Sequence, residues 1–214
     1  LTVEELQYPT FSGPGVHKGT ERDGEETGSA PETAPESRNG PGGSPAPDLP
    51  GTKHLVIPEN TKGWSYRRLF ADYLKGAGQI RISDPYVRHF YQARNLMELL
   101  QMIYELVPEG DEVAVHLVTH SDPDTCVRQE EHLNQIATAF EGTRVAFTWD
   151  FDHSADFHAR SITTDTGWKI SIDRGLDLFQ RFETGAFSVA QGIQEARLTR
   201  RTELTYMKLE SPEN

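Results

Sequence analysis

The sequence contains very little cysteine and no long apolar segment. Cys126 is the single cysteine among the 214 residues, so no internal disulfide can form. No combination of Cys and His has the spacing of a zinc site. No apolar run approaches the ~20 residues that span a membrane, and no charged-then-apolar signal segment opens the chain. We therefore expect a soluble, cytoplasmic protein with no cofactor.

Basic residues are also scarce, with 21 Lys and Arg against 33 Asp and Glu and a formal net charge of −12. This balance argues against a generic polyanion binder, because nucleic-acid affinity depends mostly on Lys and Arg that neutralise phosphates. Nine acidic and three basic residues lie within residues 1–50, so half of the net charge belongs to that segment. A local basic pocket in the rest of the chain remains compatible with the composition.

Residues 1–52 are rich in Pro, Gly and Glu and contain few large apolar side chains. The segment is predicted to be a disordered linker, because so little apolar surface cannot offset the entropy lost on ordering. It is either a flexible tether or a tail without a role. The chain begins with Leu1 rather than Met, which suggests that it is the C-terminal part of a longer protein.

Residues 53–210 are predicted to form one α/β domain, followed by a tail at 211–214. The segments HLVIP, QIRISD, DEVAVHLVTH and RVAFTWDF are typical of strands; the helices between them are SYRRLFADYLKGA, His89–Val107 and DTCVRQEEHLNQIATAF. This order predicts helices on the faces of a mostly parallel sheet. The apolar run in DEVAVHLVTH predicts a strand that is buried on both sides. HARSITTD and WKISIDRG are predicted to pair around a turn at Thr166 and Gly167, and RTELTYMKL to close the sheet.

Three residues have the spacing H-x-R-x4-D: His158, Arg160 and Asp165. Alternation along a strand would place His158 and Arg160 on the same face, where imidazole and guanidinium can meet one phosphoryl group. Arg offers a planar fork for two oxygens, and an acid that returns to the imidazole would fix its tautomer. The alternative is a surface strand on which the three side chains are only solvated.

A second candidate cluster is Asp84, Tyr86 and Arg88, at the junction of a predicted strand and the longest helix. Chemistry in such folds collects at the carboxyl ends of the strands. We therefore predict that these residues bind ligand together with the H-x-R pair. An Asp-Pro-Tyr segment after a strand is also ordinary turn chemistry with a helix cap, so this alternative stays open.

The H-x-R-x4-D spacing differs by one residue from the H-x-K-x4-D motif of phospholipase D and its nuclease relatives. IPENTKGWSYRRLFADYL, SDPYVRHFYQARNLMELL, FHARSITTDTGWKISIDRGLDLF and TELTYM resemble the phospholipase D-like domain that follows the microtubule-interacting-and-trafficking (MIT) domain. The resemblance runs from about Ile57 to Met207. It implies a phospholipase D-like mixed β-sheet flanked by helices, and binding to anionic phospholipid headgroups. Because similar domains are attached to bacterial proteins, including Lon-like AAA+ factors, we expect a bacterial homologue fused to such a protein.

The resemblance also implies roles for individual residues. His158 corresponds to the phospholipase D nucleophile, Arg160 stands in place of the phosphate-binding Lys, and Asp165 matches the acid. Arg keeps the charge but changes a point donor into a fork, which favours binding over turnover. The enzymes need two motifs, since one His attacks and the other protonates the leaving group, and this chain contains one motif.

Two functions follow from these observations. The first is a non-hydrolytic module that binds a phosphate-bearing ligand, either an anionic phospholipid headgroup or a nucleic-acid backbone. It would act for an upstream domain of the same polypeptide, with peripheral membrane contact. The alternative is a homodimeric phosphodiesterase or nuclease in which a two-fold axis brings His158 to its own copy. A monomer in solution would count against the enzyme.

Overall fold

The computed structural model describes residues 50–121, 124, 126–154, 156–181 and 188–210. Most of the predicted linker (1–52) and the whole predicted tail (211–214) lie outside the described residues, so both assignments stay predictions.

The described residues form one sheet with helices packed on it. In chain order the elements are β1 (Lys53–Ile57), α1 (Tyr66–Leu74), β2 (Gln79–Ser83), α2 (Phe90–Leu106), β3 (Val113–Thr119), α3 (Cys126–Phe140), β4 (Val145–Phe151), β5 (Ser161–Thr164), β6 (Trp168–Ile172), α4 (Val189–Gly192), a 3-10 helix (Gln194–Ala196) and β7 (Thr202–Lys208). All seven predicted strands and all three predicted helices are present. The sequence pattern missed α4 and the 3-10 helix, which are too short to show a periodicity.

Local sequence signals account for several of the boundaries. The hydroxyl of Ser65 accepts a hydrogen bond from the N–H of Arg68 (3.3 Å), so it caps the first turn of α1. Gly167 has a φ of 84° in the turn between β5 and β6, a backbone conformation that favours glycine. These signals are local, and the turn at Gly167 is one that the sequence predicted.

The strand order across the sheet is β1-β7-β6-β5-β2-β3-β4. β2 pairs parallel with β3, and β3 with β4, whereas the other four pairings are antiparallel. The predicted mixed α/β fold is therefore confirmed, but the prediction of a mostly parallel sheet is wrong. The reason is that β5, β6 and β7 lie between β1 and β2, so β1 is an edge strand.

Helices α1, α2 and α3 pack on one face of the sheet. The three β-α-β connections move across the sheet in the same direction, and right-handed crossovers then place their helices on the same side. Ile82 and Leu117 face these helices and are buried, whereas Arg81 and Ala114 point to the other face and are exposed. The prediction that β3 is buried on both sides is therefore wrong at Ala114, because the described helices α1, α2 and α3 pack on the other face, although Val118 on the same face as Ala114 is buried.

The candidate residues lie at the C-terminal ends of strands β2, β3 and β4, which together form one edge of the sheet. β5 is antiparallel to β2, with Ser83 opposite Ser161, so β5 begins at that edge. The residues that follow β2 consequently lie beside the residues that precede β5. We call this side of the sheet the carboxyl edge.

Candidate functional site at the carboxyl edge

Arg160 lies at the centre of the carboxyl edge, immediately before β5. Its guanidinium carbon is 4.4 Å from the centre of the Tyr86 ring, and its Nη1 donates a hydrogen bond to the carbonyl of Asp173. Nε is enclosed by protein atoms. Nη2 donates to none of the described residues, so it is the edge of the guanidinium that remains available to a ligand.

Two cavities share Arg160. The first, which we call the edge pocket, has a volume of about 210 Å³ and is lined by Asp84, Tyr86 and Arg174 among others. The second, which we call the face groove, has a volume of about 440 Å³ and lies on the exposed face of the sheet; its lining includes His158. Arg160 is thus the cation through which one anionic ligand can contact both cavities.

The structure brings His158 and Arg160 to the same groove, although neither belongs to a strand. β5 begins at Ser161, and the N–H of His158 donates to the carbonyl of Asp156 (3.0 Å) in a turn that precedes it. The His158 side chain is exposed, and its ring makes no hydrogen bond with the described part of the chain. The imidazole is therefore accessible, but no neighbour fixes its tautomer.

Asp84, which the sequence predicted to bind ligand, lines the edge pocket, and its carboxylate contacts backbone N–H groups. The side chain is 4% exposed; Oδ1 accepts from the N–H of Tyr86 and Oδ2 from the N–H of Leu176, both at 3.0 Å. Burial raises the pKa of this carboxyl, against the opposing effect of the two N–H donors and of Arg160. Asp84 therefore joins the segment between β2 and α2 to the segment after β6, and each of its oxygens accepts one backbone hydrogen bond.

Tyr86 and Arg88 have different positions relative to the edge pocket. Tyr86 lines it and remains 39% exposed. Arg88 donates from Nε to the carbonyl of Pro85 (3.1 Å), and its guanidinium carbon is 5.4 Å from the centre of the Tyr86 ring. Arg88 is not among the residues that line the edge pocket or the face groove, so it supports Tyr86 from outside.

Asp165 lies at the other end of β5 from His158. Both of its carboxylate oxygens are 3.1 Å from the N–H of Gly78, which donates to them at the start of β2. An extended strand advances about 3.3 Å per residue, so β5 keeps the acid and the imidazole apart. Asp165 therefore does not return to the imidazole, and its carboxylate joins two strands instead.

Sequence reasoning missed several residues that line these cavities, among them Asn95, Lys169, Arg174 and Asp177. Alternation could have found Lys169, because it shares the exposed face with Ser171 while its neighbours in β6 are buried. Burial raises the pKa of Asp177, although nearby arginines oppose this effect. Asn95 lies in α2, whereas Arg174 and Asp177 lie in the segment after β6. No local sequence pattern indicates that these two segments meet at the edge pocket.

The two cavities offer cations and hydroxyl groups beside four acidic side chains, those of Asp84, Asp173, Asp177 and Glu203. Within the described ranges, no group of three His, Cys, Asp or Glu side chains has the geometry to hold a metal ion. No helix in that part of the chain has the length and apolar character needed to cross a membrane. Arg160, Lys169 and the hydroxyl of Ser171 are instead donors of the kind that bind phosphate oxygens.

Comparisons with known proteins found one family and two similar proteins. Residues 63–208 match the family described as a phospholipase D-like domain at the C-terminus of MIT. The mouse MIT domain-containing protein 1 is 31% identical over 140 residues, which are 64% of this chain and 54% of the mouse protein. The chain thus spans about half the length of that relative. The crystal structure of Nuc, a phospholipase D family member from Salmonella typhimurium, has 14% identity and a TM-score of 0.39, covering 74% of this chain and 84% of Nuc.

Proposed function

Because this chain belongs to the family of phospholipase D-like domains at the C-terminus of MIT proteins, we propose that it binds phosphate-bearing ligands without hydrolysing them. The observation that carries the proposal is Arg160, which lines both cavities and has an Nη2 group with no partner among the described residues. Nη2 can donate charge-assisted hydrogen bonds to phosphate oxygens, and such bonds are stronger than those between neutral groups.

The surroundings of His158 favour binding over turnover. A nucleophile needs a neighbouring group that activates or orients it. Asp165 is held by the N–H of Gly78, and the His158 ring makes no hydrogen bond with the described residues. Hydrolysis would also need a second histidine to protonate the leaving group, and this chain contains a single H-x-R-x4-D motif.

The ligand in this proposal is an anionic phospholipid headgroup or a nucleic-acid backbone, since both present phosphodiester oxygens. The open face groove suits a ligand that belongs to a larger assembly, including the surface of a membrane. The module would act in the cytoplasm and direct an upstream domain to that ligand. We propose that the upstream domain belongs to a Lon-like AAA+ factor. Sequencing the full reading frame tests this point.

The structure provides a matched control for Arg160. Arg144 lies just before β4, at the opposite edge of the sheet; its guanidinium carbon is 4.3 Å from the Tyr104 ring, and its Nη1 donates to the carbonyl of Val107 (2.9 Å). Both arginines thus stack on a partly exposed tyrosine and donate to a backbone carbonyl. Only Arg160 is expected to bind ligand.

The experiment is a titration of wild type, Arg160→Gln and Arg144→Gln with inorganic phosphate, phosphatidylserine vesicles and a short single-stranded DNA. Loss of charge-assisted hydrogen bonds should weaken binding to Arg160→Gln about ten- to a hundredfold, while Arg144→Gln binds like wild type. Equal binding by all three proteins, or equal loss in both variants, would overturn the proposal.

His158→Ala separates binding from catalysis. In a binding module, His158→Ala should lower the affinity for phosphate much less than Arg160→Gln does. Neither of these two variants should cleave a phosphodiester. A nucleophile behaves in the opposite way, because its removal abolishes turnover and leaves the ligand bound. Cleavage by the wild type that is lost in His158→Ala would establish the dimeric enzyme instead.

A further inference from the structure

A third cavity adjoins the edge pocket. It has a volume of about 480 Å³, within the range of small-molecule sites, and we call it the ring pocket because Phe90, Tyr91 and Phe179 line it. It shares Asn95 and Asp177 with the edge pocket. A single ligand can therefore extend from one cavity into the other.

The walls of the ring pocket include both aromatic and cationic groups. The guanidinium carbon of Arg181 is 4.3 Å from the centre of the Tyr91 ring. Phe90 is 67% exposed, an unusual state for a large apolar side chain beside a cavity, whereas Phe179 is 4% exposed. Aromatic rings and guanidinium planes are the surfaces on which nucleobases stack in single-stranded nucleic-acid sites.

Polar groups lie where the two cavities meet. Asn95 is half-buried, and its amide makes no hydrogen bond with the described residues. Oδ2 of Asp177 is 3.1 Å from Nη1 of Arg200, which leaves the other carboxylate oxygen as an acceptor. A hydrocarbon chain in the ring pocket would leave these groups unpaired, which is costly, whereas the polar edge of a base would pair with them.

We propose that the ring pocket binds the base of a nucleotide whose phosphate occupies the edge pocket beside Arg160. The inference rests on the proposed function and specifies its ligand as a nucleotide or the end of a single-stranded nucleic acid. The phosphate supplies the charge that Arg160 and Arg174 meet, and the base supplies the flat, hydrogen-bonding part that Tyr91 and Asn95 meet.

The test compares four probes on the full chain by calorimetry: AMP, GMP, ribose 5-phosphate and inorganic phosphate. At least one nucleotide should bind roughly tenfold or more tightly than ribose 5-phosphate, because base stacking adds to the phosphate contact. Equal affinity for the nucleotides and ribose 5-phosphate would overturn the ring pocket while leaving the proposed function intact. If a folded wild type binds none of the four probes, nor vesicles or DNA, both proposals fail.

Variants locate the base. Tyr91→Leu should abolish the advantage of the nucleotide and leave the affinity for ribose 5-phosphate unchanged. The matched control is Tyr104→Leu, since Tyr104 lies on the same helix and stacks at the same distance, 4.3 Å, on Arg144. Asn95→Leu, which keeps the side-chain size and removes the amide, is a second variant should Tyr91→Leu unfold. A nucleotide advantage that survives in both Tyr91→Leu and Asn95→Leu, or falls equally in Tyr104→Leu, would overturn the assignment.

Discussion

A Cβ atom added to Gly175 would lie 2.1 Å from Oδ2 of Asp84. Gly175 has a φ of 61°, and its missing side chain leaves the space in which the buried carboxylate reaches the N–H of Leu176. The position of the Asp84 carboxylate therefore depends on the absence of a side chain at Gly175. Asp84 in turn lines the edge pocket.

Gly175→Ala should destabilise the protein more than a glycine with the same backbone conformation does. Gly142 has a φ of 70° and open space around its Cα, so Gly142→Ala measures the backbone strain alone, about 1–2 kcal/mol. Gly175→Ala adds the overlap with Asp84, for a further loss of about 1–3 kcal/mol. Free energies of unfolding in urea give both values. Equal losses in the two variants would show that the carboxylate moves aside without cost.

Asp84→Asn should change how stability depends on pH. Burial raises the pKa of Asp84, so the folded protein keeps this proton to a higher pH than the unfolded chain does. The resulting stability is fully present below the unfolded pKa, about 3.9, and is lost as the pH rises through the folded pKa. The free energy of unfolding of wild type should therefore fall relative to that of Asp84→Asn across this window. A difference that stays constant from acid to neutral pH would contradict the expectation.

The ion pair between Glu98, which is partly buried, and Arg197, which is buried, should contribute to stability only while both partners are present. Nη1 and Nη2 of Arg197 donate to the two Glu98 oxygens at 2.6 and 2.8 Å, and Arg197 is 3% exposed. Arg197→Met should destabilise by about 3 kcal/mol, because it leaves a buried carboxylate without its main partner. The double variant Glu98→Leu/Arg197→Met should recover most of that loss.

An exposed pair provides the control for this cycle. The side chains of Arg67 and Glu105 are 50% and 61% exposed. Arg67→Met should therefore change the free energy of unfolding by less than about 1 kcal/mol. If Arg197→Met and Arg67→Met lose the same free energy of unfolding, burial does not increase the contribution of the pair between Glu98 and Arg197.

Asp165→Ala should affect folding rather than ligand binding. Its carboxylate accepts from the N–H of Gly78, so the variant should lose up to about 1 kcal/mol of stability. Its affinity for inorganic phosphate should match that of wild type in the titration used for Arg160. A loss of affinity as large as that of Arg160→Gln would return Asp165 to the binding site.

The sequence by itself determined the elements of this fold. The spacing of apolar residues within a segment indicates a strand or a helix. Seven strands and three long helices could therefore be predicted without knowing their neighbours. The turn at Gly167 and the cap at Ser65 are equally local. The proximity of His158 and Arg160 follows from their separation by a single residue.

The tertiary structure decided which elements are neighbours and what the candidate residues contact. Periodicity records that a strand is half-buried but not which strand lies beside it, so the insertion of β5, β6 and β7 between β1 and β2 had no sequence signal. Asp84 looked like a ligand-binding residue because its partner at Leu176 is 92 residues away. Asp165 matched the acid of the motif, and the sequence did not show that its partner, the N–H of Gly78, is 87 residues away. Hydrogen bonds between segments that are distant in sequence form only in the folded chain. Such bonds give the carboxylates of Asp84 and Asp165 their backbone partners.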